Sequence, residues 1–232
     1  MRFFGPKSLT IAMLLAAGTA AAQSRDSDWV SYRDAYKAMV VFEKYGKPKQ
    51  FLQHTYQVTP KDKAAPLEGL RLALNGKSMQ LNLPLDATGR AVFPLLKAAY
   101  DENAALVLNR DIHQYAFKPR VSIVTRPDGV YEAAELRTAC EQALAFLRYE
   151  NAANAGKRCS GVRFVYTKSH AEPVVKLRVS DRETVLPAAD GPAFPDDSAG
   201  SFRVVNYRFS DWPASGSVVT QDAPVALAPV IE

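Results

Sequence analysis

Apolar and polar residues alternate most regularly between positions 68 and 110 of the chain, in the way typical of strands with one buried face. Asn75-Gly76 interrupts this alternation and suits a two-residue type I′ turn, because both of its positions require a positive φ angle. The turn predicts a hairpin in which Leu72 faces Met79. One face of this hairpin is apolar and consists of Leu70, Leu72, Met79 and Leu81. The segment is the strongest prediction of an antiparallel sheet in the chain.

Strand signals continue along the rest of the chain. Residues 86–89 form a second turn signal that ends in glycine. Residues 186–200 are rich in Pro, Gly and Asp and are predicted to be an irregular loop, and the tail, residues 212–232, is predicted to be one edge strand or a frayed end. Further strands are predicted at 51–59, 90–93, 105–109, 117–125, 161–167, 174–179 and 202–209.

Apolar residues recur at helical spacing in two places. Residues 31–45 carry an apolar stripe behind a candidate N-cap, Ser31, and residues 131–153 place Leu136, Cys140 and Leu144 on one face. The chain is therefore predicted to be an α+β protein built from antiparallel β-sheets. We expect its N-terminal part to resemble a β-sandwich, with a short N-terminal helix and one long helix near 131–153.

Residues 1–22 have the pattern of a signal peptide. Arg2 and Lys7 precede an apolar run at positions 8–18, and Ala20-Ala21-Ala22 is a cleavage signal of the A-x-A type. The apolar run is shorter than the about 20 residues that span a bilayer. We expect cleavage after Ala22 and a periplasmic or secreted mature protein. An uncleaved N-terminal anchor is the alternative.

The mature chain of about 210 residues is long enough for one large or two small domains. Pro127-Asp128-Gly129 is the most natural internal boundary. It separates a helix and β-sandwich-like region, 23–127, from a region with the long helix, further strands and a loose C-terminal tail, 128–232. The connection is short, so a core shared by both regions is the alternative. No segment after residue 22 is apolar for long enough to predict a transmembrane helix.

The mature chain contains two cysteines, Cys140 and Cys159. An even pair in an exported protein predicts a structural disulfide bond. The alternative is a redox-active pair, but such pairs usually have C-x-x-C spacing, which these residues lack. The predicted bond joins the middle of the long helix to the start of the strand at 161–167.

The formal net charge is +5, and it falls to +3 when Arg2 and Lys7 are removed with the leader. Such a small excess does not predict nucleic-acid binding. The only local concentration of positive charge consists of Lys44, Lys47, Lys49, Lys61 and Lys63. These lysines are candidate contacts for an anionic envelope component, such as a phosphorylated lipid headgroup or an acidic polymer. The alternative is that they are solvated side chains of a loop and a strand end.

Residues with catalytic or metal-binding chemistry are few. His54 is predicted on the apolar face of its strand, whereas His113 and His170 fall in turn-like segments. No nucleophile elbow, zinc motif, calcium loop or phosphate-binding glycine loop is present. One loop holds three acids that are candidate cation ligands, although exposed loops commonly carry such residues: Asp190, Asp196 and Asp197. The sequence predicts no catalytic residue, no metal site and no cofactor.

Two stretches carry a resemblance to a known group of proteins. LNLPLDATGRAVFPLL at 81–96 and ENAALVLNR at 102–110 resemble segments of uncharacterised exported proteins of Gram-negative bacteria. This resemblance implies export but no activity, because no activity is assigned to that group. The D-x-x-G-x-A-x-F pattern at 86–93 is also similar to the first hairpin of prealbumin-like β-sandwich modules, which is a likeness of fold alone.

These observations predict an exported, non-catalytic protein that binds or supports a cell-envelope component or another envelope protein. An envelope hydrolase is the alternative, and a pocket holding His113 or His170 beside an acid would favour it. A third possibility is a subunit of an envelope assembly. The loops most expected to carry a site are 44–63, 111–114 and 186–200.

Overall fold

The computed structural model describes residue 1 and residues 29–62, 65–169, 172–197 and 200–232. The described part of the chain contains three α-helices and fifteen strands, and every strand pair is antiparallel. The helices are α1 (Tyr32–Lys44), α2 (Lys97–Asp101) and α3 (Ala133–Glu150). The strands are β1 (Val30–Ser31), β2 (Leu52–Pro60), β3 (Leu72–Asn75), β4 (Gln80–Leu83), β5 (Arg90–Ala91), β6 (Ala105–Leu108), β7 (Tyr115–Ile123), β8 (Val130–Glu132), β9 (Cys159–Tyr166), β10 (Val175–Val179), β11 (Arg182–Val185), β12 (Ala188–Gly191), β13 (Phe202–Arg208), β14 (Ser217–Thr220) and β15 (Ala226–Ile231). A β-rich protein with antiparallel sheets and few helices is thus confirmed.

The largest element is a seven-stranded sheet, which we call the central sheet. Its strand order is β12-β13-β9-β15-β7-β2-β5. Three of these strands come from the region predicted at 23–127 and four from the region predicted at 128–232. The two groups meet where β7 lies beside β15.

Two four-stranded sheets pack around the central sheet. The N-terminal sheet has the order β1-β6-β3-β4, and the small sheet has the order β11-β10-β14-β8. Buried side chains of α1, the N-terminal sheet and one end of β2 form one core. A larger core lies between α3, the small sheet and one face of the central sheet, and it contains Phe42 and Leu52 as well as residues after 130. The opposite face of the central sheet is covered by residues 192–197, which we call the strap.

Helix α1 is fixed at both ends by its own sequence. The hydroxyl of Ser31 accepts a hydrogen bond from the Arg33 N–H, as an N-cap should. The ammonium of Lys49 donates to the carbonyls of Phe42 and Glu43 near the last turn, where positive charge complements the helix dipole. Tyr32, which is fully buried, docks the helix through a backbone hydrogen bond to Ala104.

Helix α3 carries the disulfide bond that the sequence predicts. Cys140 is fully buried on the apolar face of the helix, and its sulfur is bonded to that of Cys159, the first residue of β9. The two Cα atoms are 5.9 Å apart, within the usual range for a disulfide. The disulfide and the orientation of Cys140 are therefore confirmed. The helix begins at Ala133 rather than 131, because Tyr131 belongs to β8.

The hairpin exists, but its predicted register is wrong. Leu72 faces Leu83 rather than Met79, so the pairing is displaced by four residues. The φ angles of Asn75 and Gly76 are not positive, so a type I′ turn is absent here. The carboxylate of Glu102 instead accepts hydrogen bonds from Lys77 N–H and from the N–H and hydroxyl of Ser78, and thereby holds a longer loop. A shift by an even number of residues leaves each side chain on the same face of the hairpin, so the predicted assignment of residues to the two faces still holds.

The predictions for the C-terminal third also need correction. The tail is neither loose nor frayed, because it supplies β14 and then β15, which lies between β9 and β7 in the central sheet. Ala226, Leu227 and Ala228 are fully buried. The loop predicted at 186–200 contains the edge strand β12. Sequence alternation missed β15 because both of its faces are covered, and such strands do not alternate.

Candidate functional site

The central sheet opens between β7 and β15. These strands share a single register pair, Leu227 with Ile123, whereas β7 pairs with β2 along nine residues. Beyond Leu227 comes Pro229, which has no N–H to donate to a neighbouring strand. The strands separate there, and a cleft of about 280 Å³ lies between them.

The cleft is lined by parts of four elements. Strand β7 contributes Lys118 to Val121, and β15 contributes Pro229 and Ile231. The end of α3 and the turn after it form the opposite wall, and the strap closes the cleft from the other face of the sheet. The remaining lining residues are Leu147, Glu150, Asn154, Lys157, Phe194, Pro195 and Asp196.

Two cations and two acids form an ion-pair cluster at one side of the cleft. The Lys118 ammonium lies 3.1 Å from Asp196 and 2.9 Å from Asp197. The two terminal nitrogens of Arg120 contact the same acids, one at 2.6 Å from Asp196 and the other at 2.7 Å from Asp197. We call these four residues the charged cluster. An arginine that binds two carboxylates in this way is held in a fixed plane.

Phe194 of the strap orients the cluster. Its ring is buried beneath two guanidinium groups. The Cζ atom of Arg120 lies 4.2 Å from the centre of the ring, and the Cζ atom of Arg90 lies 5.4 Å from it. A cation over an aromatic face is attracted by the ring quadrupole. The strap therefore contributes both the acids and the platform on which Arg120 rests.

A second polar network lies deeper on the same face of the sheet. Arg90 is 5% exposed and donates to Asp86, to the hydroxyl of Ser122 and to the carbonyl of Val225. Gln57 links this network to the charged cluster, because its amide donates to the Thr88 carbonyl and to Asp197, and its carbonyl oxygen accepts from Arg120. Buried charges persist only when they are paired and hydrogen-bonded. This network therefore makes the site rigid.

The charge state of Asp196 follows from its neighbours. Burial acts to raise the pKa of its carboxyl, but the hydrogen bonds and positive charges of Arg120 and Lys118 outweigh that effect. The pKa is lowered from 3.8 to about 2. Asp196 is therefore a carboxylate at any pH near neutrality.

Within the described part of the chain, the charged residues on the cleft wall formed by the end of α3 and the turn after it are unpaired. Neither the Glu150 carboxylate nor the Lys157 ammonium has a hydrogen-bond or ion-pair partner among the described residues. Burial raises the pKa of the Glu150 carboxyl. The cleft thus has a charged side that is internally paired and an opposite side whose charges are available to a ligand.

The four predicted lysines within the described residues lie in two separate groups. Lys44, Lys47 and Lys49 lie at the end of α1 and in the loop after it, whereas Lys61 follows the last residue of β2. Strand β2 has nine residues and separates the two groups by about 26 Å. Lys49 is also committed to the end of α1. Lys63 lies outside the described residues.

The histidines are not assembled into a catalytic group in the described part of the chain. His54 faces the larger core, where its ring lies 5.3 Å from that of Phe42 and its Nε2 atom is buried without a partner. Burial lowers its pKa from 6.5 to about 4. His113 is exposed on a short 3₁₀ turn, and neither histidine lines the cleft. His170 lies outside the described residues.

The three loop acids that are candidate cation ligands do not converge on one point. Asp190 pairs with Lys168 and Arg203 at the edge of the sheet, whereas Asp196 and Asp197 face Lys118 and Arg120. No group of three or more potential metal ligands occurs among the described residues. Each acid is instead neutralised by cationic side chains.

Sequence reasoning named one of the site's loops but missed its cations. The strap lies within residues 186–200, one of the three segments expected to carry a site. Lys118, Arg120 and Arg90 were not singled out, because charged residues that alternate along a strand normally face solvent. The two adjacent acids Asp196 and Asp197 in a proline-rich loop indicate that cationic side chains lie nearby. A single sequence does not show which cations these are.

Comparisons of the chain with protein-family models, with curated proteins and with solved structures found no match. The resemblance to exported proteins of Gram-negative bacteria therefore stays a prediction. Within the described residues, no helix is both long enough and apolar enough to cross a membrane.

Proposed function

We propose that this is an exported, non-catalytic protein that binds an anionic group of a cell-envelope component at the cleft between β7 and β15. The observation that carries the proposal is the pair Lys118 and Arg120, which line a solvent-accessible cleft and already bind two carboxylates there. The disulfide bond is compatible with the oxidising compartment that export implies. The mature protein is proposed to be periplasmic or secreted.

The chemistry of the cluster suits phosphate or carboxylate ligands. The guanidinium of Arg120 presents two N–H groups in one plane, and the ammonium of Lys118 adds a mobile charge beside it. Next to these cations the cleft offers apolar surface from Val121, Leu147 and Phe194. A ligand with an anionic group attached to a short apolar segment, such as a phosphorylated lipid headgroup, fits both features.

The predicted lysines have a secondary place in this proposal. Lys44, Lys47 and Lys61 are exposed, so they add to the positive potential that attracts an anionic surface. Lys49 and Lys63 belong to the same proposed set of contacts. Charge reversal of Lys47 and Lys61 should weaken association with anionic vesicles in low salt and have little effect in high salt.

One observation favours the alternative, an envelope hydrolase. Glu150 lines the cleft without a partner, and burial raises the pKa of its carboxyl. A carboxyl with a raised pKa is suited to general acid–base catalysis. However, no nucleophile or histidine lines the cleft beside it in the described part of the chain. We therefore propose binding as the function and treat hydrolysis as the second candidate.

The proposal is tested by titrating the protein with inorganic phosphate and, separately, with phosphatidylglycerol vesicles. Lys118→Gln should weaken binding about ten-fold, because a hydrogen bond to a charged group contributes about 1.5–3 kcal/mol when it is well formed. The matched control is Lys168→Gln, which removes an equally charged lysine that pairs with Asp190 outside the cleft. Phosphatidylcholine vesicles control for apolar binding.

The two anionic probes distinguish free phosphate from a lipid headgroup. Binding of phosphate alone would indicate a soluble ligand, and binding of the vesicles alone would indicate a lipid. Equal affinities of Lys118→Gln and Lys168→Gln for both probes would refute the proposed site. Loss of an envelope-hydrolysing activity in Glu150→Gln, with phosphate binding intact, would favour the second candidate.

A further inference from the structure

The charged cluster contains an acid that stands where the proposed ligand would bind. Among the described residues, every polar contact of the Asp196 side chain is to Lys118 or Arg120. These are the two groups that an incoming phosphate or carboxylate needs. Asp196 and an external anion therefore exclude each other from the same donors.

The two acids of the cluster differ in how firmly they are held. The side chain of Asp197 is 6% exposed and accepts a further hydrogen bond from Gln57 at 3.1 Å. The side chain of Asp196 is 59% exposed, and its partners within the described part of the chain are the two cations. Asp197 is therefore a fixed part of the site, whereas Asp196 can rotate into solvent.

Rotation of Asp196 does not require the strap to leave the sheet. Phe194 remains buried beneath Arg120 and Arg90, and Asp197 remains bound to Arg120. Lys118 and Arg120 both keep Asp197 as a partner when Asp196 turns outward. A ligand anion can then accept the contacts that Asp196 gives up, so the exchange leaves the site assembled.

From these contacts we propose that Asp196 is a built-in competitor that sets the affinity of the cleft for anions. This inference rests on the proposed function. While Asp196 occupies Lys118 and Arg120, the fraction of molecules able to bind an anion is reduced, and the apparent affinity falls by that fraction. An anion that binds more strongly than one exposed carboxylate displaces it, so weak or dilute anions are rejected.

The test is the affinity of Asp196→Asn for inorganic phosphate. This variant removes the competing charge and should bind phosphate about three- to ten-fold more tightly than the natural protein, because a larger fraction of molecules then has Lys118 and Arg120 available to the anion. Asp190→Asn is the matched control. Asp190 also pairs with one lysine and one arginine and is similarly exposed, at 54%, but it lies outside the cleft. The affinity of Asp190→Asn for phosphate should be close to that of the natural protein.

The outcomes separate this inference from the proposed function. If Lys118→Gln lowers phosphate binding but Asp196→Asn does not raise it above the Asp190→Asn control, the site stands and the competitor role is refuted. If Lys118→Gln has no effect, the proposed site itself is refuted. Asp196→Ser serves as a second variant, and an unfolding curve like that of the natural protein shows that the strap remains folded.

Discussion

Gly89 shows how a single residue fixes the entry to the central sheet. Its φ angle is +78°, and an added Cβ would overlap the carbonyl oxygen of Val58. The turn is completed by Asp86, whose side chain accepts hydrogen bonds from the Thr88 and Arg90 N–H groups. The left-handed backbone and the close approach of β2 both require glycine at this position.

Gly89→Ala should therefore lower the free energy of unfolding by about 2 kcal/mol or more, because the strained backbone and the overlap add to each other. The control is Gly46→Ala, since nothing lies within 4 Å of a Cβ built there. Its effect should stay within about 0.5 kcal/mol. Urea unfolding of both variants measures the difference. Equal stabilities would contradict the role assigned to Gly89.

His54 is a second residue whose surroundings determine its chemistry. Its Nε2 atom is buried without a partner, so the protonated form is disfavoured in the folded state. Between its unfolded pKa, 6.5, and its folded pKa, about 4, the unfolded chain binds a proton at His54 and the folded chain does not. Stability is therefore unaffected above pH 6.5 and falls as the pH is lowered towards 4.

His54→Phe should remove this part of the acid sensitivity. Relative to the natural protein, the variant should gain about 1–3 kcal/mol of stability between pH 7 and pH 4. The exposed His113 provides the control variant, His113→Gln, which should follow the natural protein. Urea unfolding at several pH values measures both. A constant difference between His54→Phe and the natural protein at all pH values would show that His54 does not titrate as described.

The disulfide bond joins two elements that are otherwise held together by packing alone. Helix α3 lies against the central sheet, and the bond fixes its middle to the first residue of β9. The bridged cysteines are 19 residues apart in the chain. On the chain-entropy model, closing such a loop stabilises the fold by about 3 kcal/mol.

Replacing both cysteines by alanine should lower the free energy of unfolding by about 3 kcal/mol. The natural protein should lose a similar amount when reductant is added, whereas the double variant should not respond to reductant. Urea unfolding with and without reductant provides the measurement. A natural protein that is unaffected by complete reduction would contradict a stabilising role.

In the N-terminal hairpin, the sequence predicts the strands but not the register in which they pair. The alternation of leucines predicted the strands and their apolar face, and Leu70 and Leu72 of that face are buried, whereas Leu81 is 37% exposed. The register was wrong because Glu102, some 25 residues away in the chain, holds the loop by hydrogen bonds to Lys77 and Ser78. These contacts override the local preference of Asn75-Gly76 for a type I′ turn.

At the scale of the whole molecule, positive charge is concentrated at one end of one face of the central sheet. The face towards α3 packs on the larger core, whereas the opposite face carries Arg90, Lys118 and Arg120 on β5 and β7 and apolar side chains elsewhere beneath the strap. A net charge of +5 for the chain gives no sign of this concentration. The charge is concentrated by folding, because residues far apart in sequence meet on adjacent strands.

Export is a prediction at the scale of the whole molecule, and residues 2–22 of the predicted signal peptide lie outside the described residues. If residues 1–22 are a signal peptide, the protein recovered from the periplasm or medium should begin at Gln23. Intact-mass measurement of the exported protein, after expression of the full chain in a Gram-negative host, tests this expectation. A mass that retains residues 1–22 would indicate the uncleaved anchor instead.

The sequence by itself determined most of the strands, the helical segments α1 and α3, the glycine turn after Asp86 and the pairing of Cys140 with Cys159. These features depend on neighbouring residues or on the only possible partner. Tertiary structure alone decided the hairpin register, the burial of β15 and the cleft beside Pro229. It also brought Lys118 and Arg120 to Asp196. The physical reason is that each of these features depends on contacts between segments that lie far apart in the chain, and the energies of those contacts exceed any local preference.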